Sequence, residues 1–308
     1  MQEIIGKTAK DINKYNNKII YYKNARSGFS EILKYIKSIY EDFTLLVPAF
    51  IGYSPREGSG IYDPIVENNI KHRFYPIDEH INILLDEYKK NIESIEGKIV
   101  VLLVHYFGYV DKNIENLVVF AKKNDAIIIE DCAHALYTDY IDNKCGMYSD
   151  ASLYSLHKML PYSDGGMVRI NNNIIKLKET NNFYNLLEYD IRKIAEKRKK
   201  NAQILETELK KEKEIEILRP IDMYKNQTPQ TYPILIKSKD KNELYHKLNE
   251  KGFGVVSLYH TMIEELRNEK YDISNKVSKR ILNLPVHQDV EEKDLINMCK
   301  LLKTLLGE

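Results

Sequence analysis

At 308 residues the chain is long for one small core, and it reads as a larger domain followed by a smaller one. Hydrophobic residues at 43% and charged residues at 30% exclude a disordered or membrane-embedded chain. Lys and Arg number 46 against 45 Asp and Glu, a net charge of +1, so no bulk field draws nucleic acid or an anionic membrane, and binding must come from a local site.

The cysteines Cys132, Cys145 and Cys299 form no C-x-x-C pair. That argues against a disulfide framework and against a structural zinc site, so a reducing cytoplasm is the expected setting and no metal is expected. The start, Met1 to Lys7, lacks the apolar core of a signal peptide, and the most apolar stretch, Ile99 to Val110, is broken by His105 and Gly108.

In chain order, the loop Asn24-Ala-Arg-Ser-Gly28 feeds a helix over Ser30 to Tyr40, where Ile32, Leu33, Ile36 and Ile39 recur at helical spacing. Phe43 to Val47 predicts a buried strand ending at Pro48, followed by a Gly/Pro/Ser-rich loop from Gly52 to Gly60 and a strand near Arg73 to Tyr75. Ile99 to Val104 and Ala126 to Glu130 are continuous apolar runs of strand length, separated by a helical segment from Ile114 to Lys123. Runs of that kind belong to a parallel sheet covered on both faces, which takes its ligands at the carboxyl ends of the strands. Asp131 and Lys158 both fall on that edge, the latter after a strand over Ala151 to Ser155.

Beyond Gly165-Gly166 the composition turns polar, and Asn171 to about Lys213 reads as a long connecting helix region. A small α+β part follows, with a strand over Thr231 to Ile236, a helix over Lys241 to Glu250, a strand over Phe253 to Leu258 and a terminal helix from about Glu291. The expected fold is therefore α/β, a mostly parallel sheet flanked by helices over residues 1–175, with the connecting helix and a smaller α+β domain over 176–308.

Gly58-Ser-Gly60 lacks the third glycine and the preceding buried strand of a dinucleotide fingerprint, and no P-loop or H-E-x-x-H motif occurs. The informative block is Ile127-Ile-Ile-Glu-Asp-Cys-Ala-His-Ala135 followed by Gly146 to Gly166, with Ser155, Lys158 and Gly165-Gly166 in order. A lysine near a buried carboxylate is what pyridoxal phosphate requires. The amine condenses with the aldehyde and the carboxylate keeps the ring nitrogen protonated, so that the ring accepts electrons. Arg26-Ser27-Gly28 at a helix N-terminus offers backbone N–H groups for a phosphate, Ser155 a second hydroxyl, and Tyr53 or Phe50 an aromatic face for the ring. Asp131 also suits a cap for the segment after it.

The pattern E-D-x-A-H-A, then G-x-x-S-D-x-x-x-Y-S-L-x-K-x-L-P-x-x-D-G-G, resembles the DegT-like pyridoxal-phosphate aminotransferases that act on nucleotide-linked keto-sugars, and the likeness runs over most of residues 20–300. It implies a fold-type I transferase, a homodimer, with Lys158 as the Schiff-base lysine, Asp131 at the pyridine nitrogen and His134 beside the ring. It further implies Ser155, Arg26 and Ser27 at the phosphate, Tyr53 stacked on the ring, and Tyr259 and His260 toward the sugar nucleotide. The implied reaction moves an amino group from an amino acid, glutamate by expectation, to the keto-sugar. Two departures stand out: the interval from Ser155 to Lys158 is two residues shorter than the common pattern, and the segment after Gly166 is shortened and lacks a G-Y-N-x-R-M stretch. The alternatives are a sugar dehydratase, for which His157 lies adjacent although Lys158 is present, and a non-catalytic regulatory or assembly protein.

Overall fold

The computed structural model describes residues 18–307. Met1 to Lys7, read above for targeting, lies outside them. A seven-stranded sheet is built from β1 (Lys18–Tyr22), β2 (Phe43–Pro48), β3 (His72–Tyr75), β4 (Lys98–Val104), β5 (Ile127–Asp131), β6 (Ala151–Ser155) and β7 (Gly166–Ile170), in the order β1-β7-β6-β5-β4-β2-β3. The pairs joining β3, β2, β4, β5 and β6 are parallel, while β7 runs antiparallel to both β6 and β1.

Alternation along each strand explains why the runs are apolar throughout. Leu45, Val47, Val100, Leu102, Ile127, Ile129 and Leu153 pack on one face against Phe29, Ile32, Leu33 and Ile36 of α1 (Ala25–Ile39). Leu46, Val101, Leu103 and Ile128 pack on the other face, against Tyr88 and Ile92 of α3 (Leu85–Glu93) and Leu117, Val118 and Ala121 of α4 (Ile114–Lys123). The short helices α2 (Tyr62–Glu67) and α5 (Leu136–Tyr140) complete this part. The same alternation carries past the hydrophobic run: Asp131 and Ser155 continue the α1 face, whereas Glu130 continues the other.

A long helix, α6 (Ile191–Leu209), leads to a three-stranded antiparallel sheet of β8 (Ile215–Ile217), β9 (Thr231–Ile236) and β10 (Ile281–Pro285) in the order β10-β9-β8. The helices α7 (Lys241–Glu250) and α9 (Glu292–Gly307) cover it through Leu244, Leu248, Leu295, Met298 and Leu302, and α8 (Asp272–Arg280) precedes β10. Among the described residues no helix is long and apolar enough to cross a membrane.

Two expectations are corrected. Phe253 to Leu258 is not a strand: it makes a single bridge, Val256 to Asn283, because Gly252 and Gly254 turn the backbone at φ +80° and +65° on either side of Phe253. The third strand of the small sheet is instead Ile215–Ile217. The polar stretch from Asn171 is helical only from Ile191; before that it holds one 3₁₀ turn at Leu186–Glu188. Its side chains bond elsewhere, as Asn171 Nδ2 does to the Gly146 and Ser149 carbonyls, which competes with helix formation.

Candidate active site

The ends of β5 and β6 set the chemistry. These strands are parallel neighbours with Asp131 opposite Leu153, so Asp131 and Ser155 leave the sheet at the same rim and on the same face. A 3₁₀ turn, Leu156–Lys158, follows Ser155 at once and is fixed by the Leu156 amide donating to Gly165 O at 2.9 Å. It brings Lys158 back to the rim, so the short Ser155–Lys158 interval still leaves the two residues on one edge.

Lys158 Nζ lies 3.0 Å from Nε2 of His134. The Phe107 amide donates to His134 Nδ1 at 3.3 Å, which leaves the ring proton on Nε2. At 3.0 Å this N–H can meet the lysine's lone pair whenever the amine is unprotonated. Electrostatics agree. Burial lowers the Lys158 amine below its ordinary range, and the nearby Arg26 cation adds to this, while Asp131 and Glu57 oppose it. Burial, then the Lys158 charge, holds His134 well below the usual imidazole range. Taken as a whole residue Lys158 is exposed to solvent even so.

Asp131 is partly buried, and burial raises its carboxyl above the ordinary range, opposed by the Ala133 amide and by Lys158. Its Oδ1 accepts from Ala133 N at 2.9 Å in a local turn, while Oδ2 has no hydrogen bond among the described residues. The capping role expected of Asp131 takes this form, because α5 itself begins only at Leu136.

The N-terminus of α1 abuts the same rim. A Cβ on Gly166 would fall 2.1 Å from the Asn24 carbonyl carbon, so only glycine lets the backbone entering α1 lie against the start of β7, opposite Ser155. Asn24 Oδ1 caps the helix by accepting from the Ser27 amide at 2.9 Å and the Ser27 hydroxyl at 3.0 Å. The Ala25 and Arg26 amides, in the first turn, have no carbonyl partner within the helix. The Arg26 guanidinium points to the protein: it pairs with Asp63 at 3.0 Å and donates to Glu57 O at 2.5 Å. Buried Ser155 has its Oγ 3.5 Å from His157 Nδ1.

Aromatic rings form one wall. Tyr259 stacks on Phe50 with centroids 5.1 Å apart and meets Tyr106, Phe107 and His134 edge-on at 5.3, 5.6 and 6.3 Å. Phe107 and Tyr259 both sit at positive φ, 60° and 59°, the costly left-handed region for such residues, and they flank His134 from two sides. Burial raises the Tyr259 phenol, and neighbouring Asp131 adds to the shift. Tyr53 lies apart from this cluster, 40% exposed, with its amide bonded to Thr261 O at 2.9 Å. His260 is exposed and bonds Ser257 O through Nδ1 at 2.6 Å. The structure thus groups Lys158, Asp131, His134, Ser155 and Tyr259 at one rim, with the start of α1 against β7 beside it, while Tyr53 and His260 are exposed.

Reading the sequence missed a second polar centre behind the rim. Glu130, fully buried, accepts from His105 Nε2 at 2.9 Å, Gly146 N at 2.9 Å, Tyr148 N at 3.1 Å and Ser149 Oγ at 2.9 Å. A glutamate interrupting Ile127-Ile-Ile is a signal that could have been taken up, but its partner, 25 residues away, could not be.

The fold is that of a fold-type I transferase. The chain belongs to the DegT/DnrJ/EryC1/StrS aminotransferase family, whose sequence profile matches residues 61–183 and 188–303. A UDP-4-amino-4,6-dideoxy-N-acetyl-beta-L-altrosamine transaminase from Campylobacter jejuni is 26% identical over 232 residues, 61% of this chain and 61% of that protein, so the match spans less than two thirds of the relative. In structure, a DegT DnrJ EryC1 StrS aminotransferase from Brucella abortus superimposes with a TM-score of 0.73 at 17% identity, covering 94% of this chain and 86% of that one. An E. coli GDP-4-keto-6-deoxy-D-mannose-3-dehydratase with bound hydrated PLP gives 0.68 at 15% identity, covering 95% and 88%.

Proposed function

We propose that the protein is a pyridoxal-phosphate-dependent aminotransferase that moves an amino group from an amino acid, glutamate by preference, to a nucleotide-linked keto-sugar. The observation that carries this reading is the convergence of the Lys158 amine and the Asp131 carboxylate at one rim, coupled through charge and bridged on the lysine side by His134. The residues present fit the cofactor. Asp131 keeps one carboxylate oxygen without a partner where a protonated ring nitrogen needs an acceptor, and the free amides opening α1, beside Ser155 and Ser27, suit a phosphate.

When bound, pyridoxal phosphate supplies an electron-accepting ring that stabilises negative charge on the amino carbon. The chain supplies the rest. Asp131 holds the proton on the ring nitrogen, against its own tendency to take it. Lys158 Nζ would hold the cofactor and, when free, would serve as the general base and then acid that moves a proton. Burial lowers this amine and so favours the unprotonated form that both tasks begin from. Tyr259 and Phe50 offer an aromatic wall; Tyr53 remains the residue assigned to stack on the ring, and Tyr259 with His260 those assigned to the sugar nucleotide.

A homodimer and a cytoplasmic setting belong to the same reading, as does a division of the chain near residue 175. Dimerisation is supported by Phe183 and Leu187, which expose 74% and 94% of their surface in the irregular segment after β7. The deciding experiment incubates purified protein with cofactor, glutamate and a UDP-linked 4-keto-sugar, and follows amino-sugar and 2-oxoglutarate together. Equimolar formation of both supports the proposal. A deoxygenated keto product formed with 2-oxoglutarate and free ammonia, and no amino-sugar, would assign a dehydratase, and no conversion of cofactor by any amine donor would assign a non-catalytic role.

A further inference from the structure

Behind Asp131, on the opposite face of β5, a second group of side chains converges that the proposed transamination does not use. His105, Cys132 and Cys145 are fully buried, and their donor atoms all lie within 4.8 Å of one another. His105 gives its Nε2 to the Glu130 carboxylate at 2.9 Å, while its Nδ1 is buried with no hydrogen-bond partner. Glu130 is held in turn by three further donors. A carboxylate orienting one imidazole nitrogen while the other is left toward sulfur is the arrangement that supports metal-bound histidines.

The sulfur separation is that of two free thiols in contact and can be compared with what each use of a buried cysteine pair requires. Cys132 Sγ and Cys145 Sγ stand 4.0 Å apart. Two thiolates on a tetrahedral zinc, each at about 2.3 Å, are separated by about 3.8 Å. A disulfide demands about 2.05 Å. The observed spacing meets the first and misses the second by nearly half its length. Two thiolates neutralise one divalent cation, which leaves the charge of Glu130, held by His105 and three further donors.

We propose that His105 Nδ1, Cys132 Sγ and Cys145 Sγ bind a single thiophilic divalent cation of the zinc class. As each sulfur–metal bond forms, its thiol releases a proton, and no electrons are exchanged. The Ala135 carbonyl, 3.9 Å from Cys145 Sγ, offers an oxygen for the fourth position. The ion would tie the residue after Asp131 to the loop before Gly146, and so fix the backbone from which the rim carboxylate projects. The absence of a C-x-x-C pair, which argued against zinc from sequence, is met by donors drawn from three separate loops.

The test uses the full chain, stripped with a chelator and titrated with Co²⁺ and then Zn²⁺. One equivalent of Co²⁺ with near-ultraviolet sulfur-to-cobalt absorption, displaced by Zn²⁺, is expected. Cys132→Ala and Cys145→Ala should each weaken uptake by roughly a hundredfold or more, and Cys299→Ala, in the small-sheet core, should not. Zinc K-edge absorption on the unaltered protein, which needs no variant to fold, should show two sulfurs at about 2.3 Å and a nitrogen near 2.0 Å. A cobalt complex without the sulfur band, uptake that survives both cysteine substitutions, an oxygen-only zinc shell, or a native Cys132–Cys145 disulfide in unreduced protein would each overturn the proposal.

Discussion

Glu130 and Asp131 are consecutive carboxylates on one strand, and they behave in opposite ways. Glu130 faces the α3/α4 side, where four donors surround it; burial alone would raise its carboxyl, but these bonds, His105 first, bring it below the ordinary range. Asp131 faces the α1 side with one amide donor, and burial wins, so its carboxyl lies above the ordinary range. Strand alternation alone places the two on opposite faces. A satisfied buried carboxylate acts as a fastening, and an under-satisfied one at a rim is a binding group awaiting a partner.

The sharpest way to break this contrast is to neutralise each carboxylate. Asp131→Asn should lower kcat/KM for amino transfer by about a thousandfold and leave the melting temperature close to that of the unaltered protein. Loss of folding with little loss of activity per folded molecule would reverse the two roles. Glu130→Gln should cost about 3–5 kcal/mol of stability in urea unfolding, because it strands buried His105; an unchanged midpoint would show that the pair fastens nothing.

Smaller effects sharpen the picture. Gly166→Ala should destabilise by about 1–3 kcal/mol, since the α1 backbone must move, and should weaken cofactor retention with it. The pH dependence of unfolding should divide by sign. Glu130, with its folded value depressed, contributes stability that is present above the unfolded carboxylate range and is lost as pH falls through the folded value. Asp131, with its folded value raised, contributes stability that is present below the unfolded range and is lost as pH rises through the folded value. Urea midpoints between pH 3 and 7 for each neutral variant should therefore change slope in opposite directions. Lys158, depressed below an ordinary lysine, should react with an amine-directed reagent at lower pH than surface lysines do, as read by peptide mass spectrometry.

The strands Phe43–Pro48, Lys98–Val104 and Ile127–Asp131 and the rim were legible because these strands are closed apolar runs and the rim residues fall at or just past strand ends: Asp131 after Ile127-Ile-Ile-Glu, Lys158 after Ala151 to Ser155. Local signals sufficed there. What stayed hidden depends on pairing between distant segments. Lys18–Tyr22 becomes a strand only by lying antiparallel to Gly166–Ile170. Phe253 to Leu258 has strand-like composition but finds a single bridge, and Ile215–Ile217 takes the place beside β9. Within the site, the aromatic wall is made by Tyr259 reaching Phe50 from over 200 residues away, which no local spacing announces.

The most direct measurement is reduction of the cofactor-loaded protein with borohydride, followed by mapping of the labelled lysine. A single pyridoxyl group on Lys158, absent from Lys158→Ala together with the visible absorbance, is the expected result. Label on any other lysine, or visible absorbance unchanged in Lys158→Ala, would contradict the assignment of this rim as the catalytic centre.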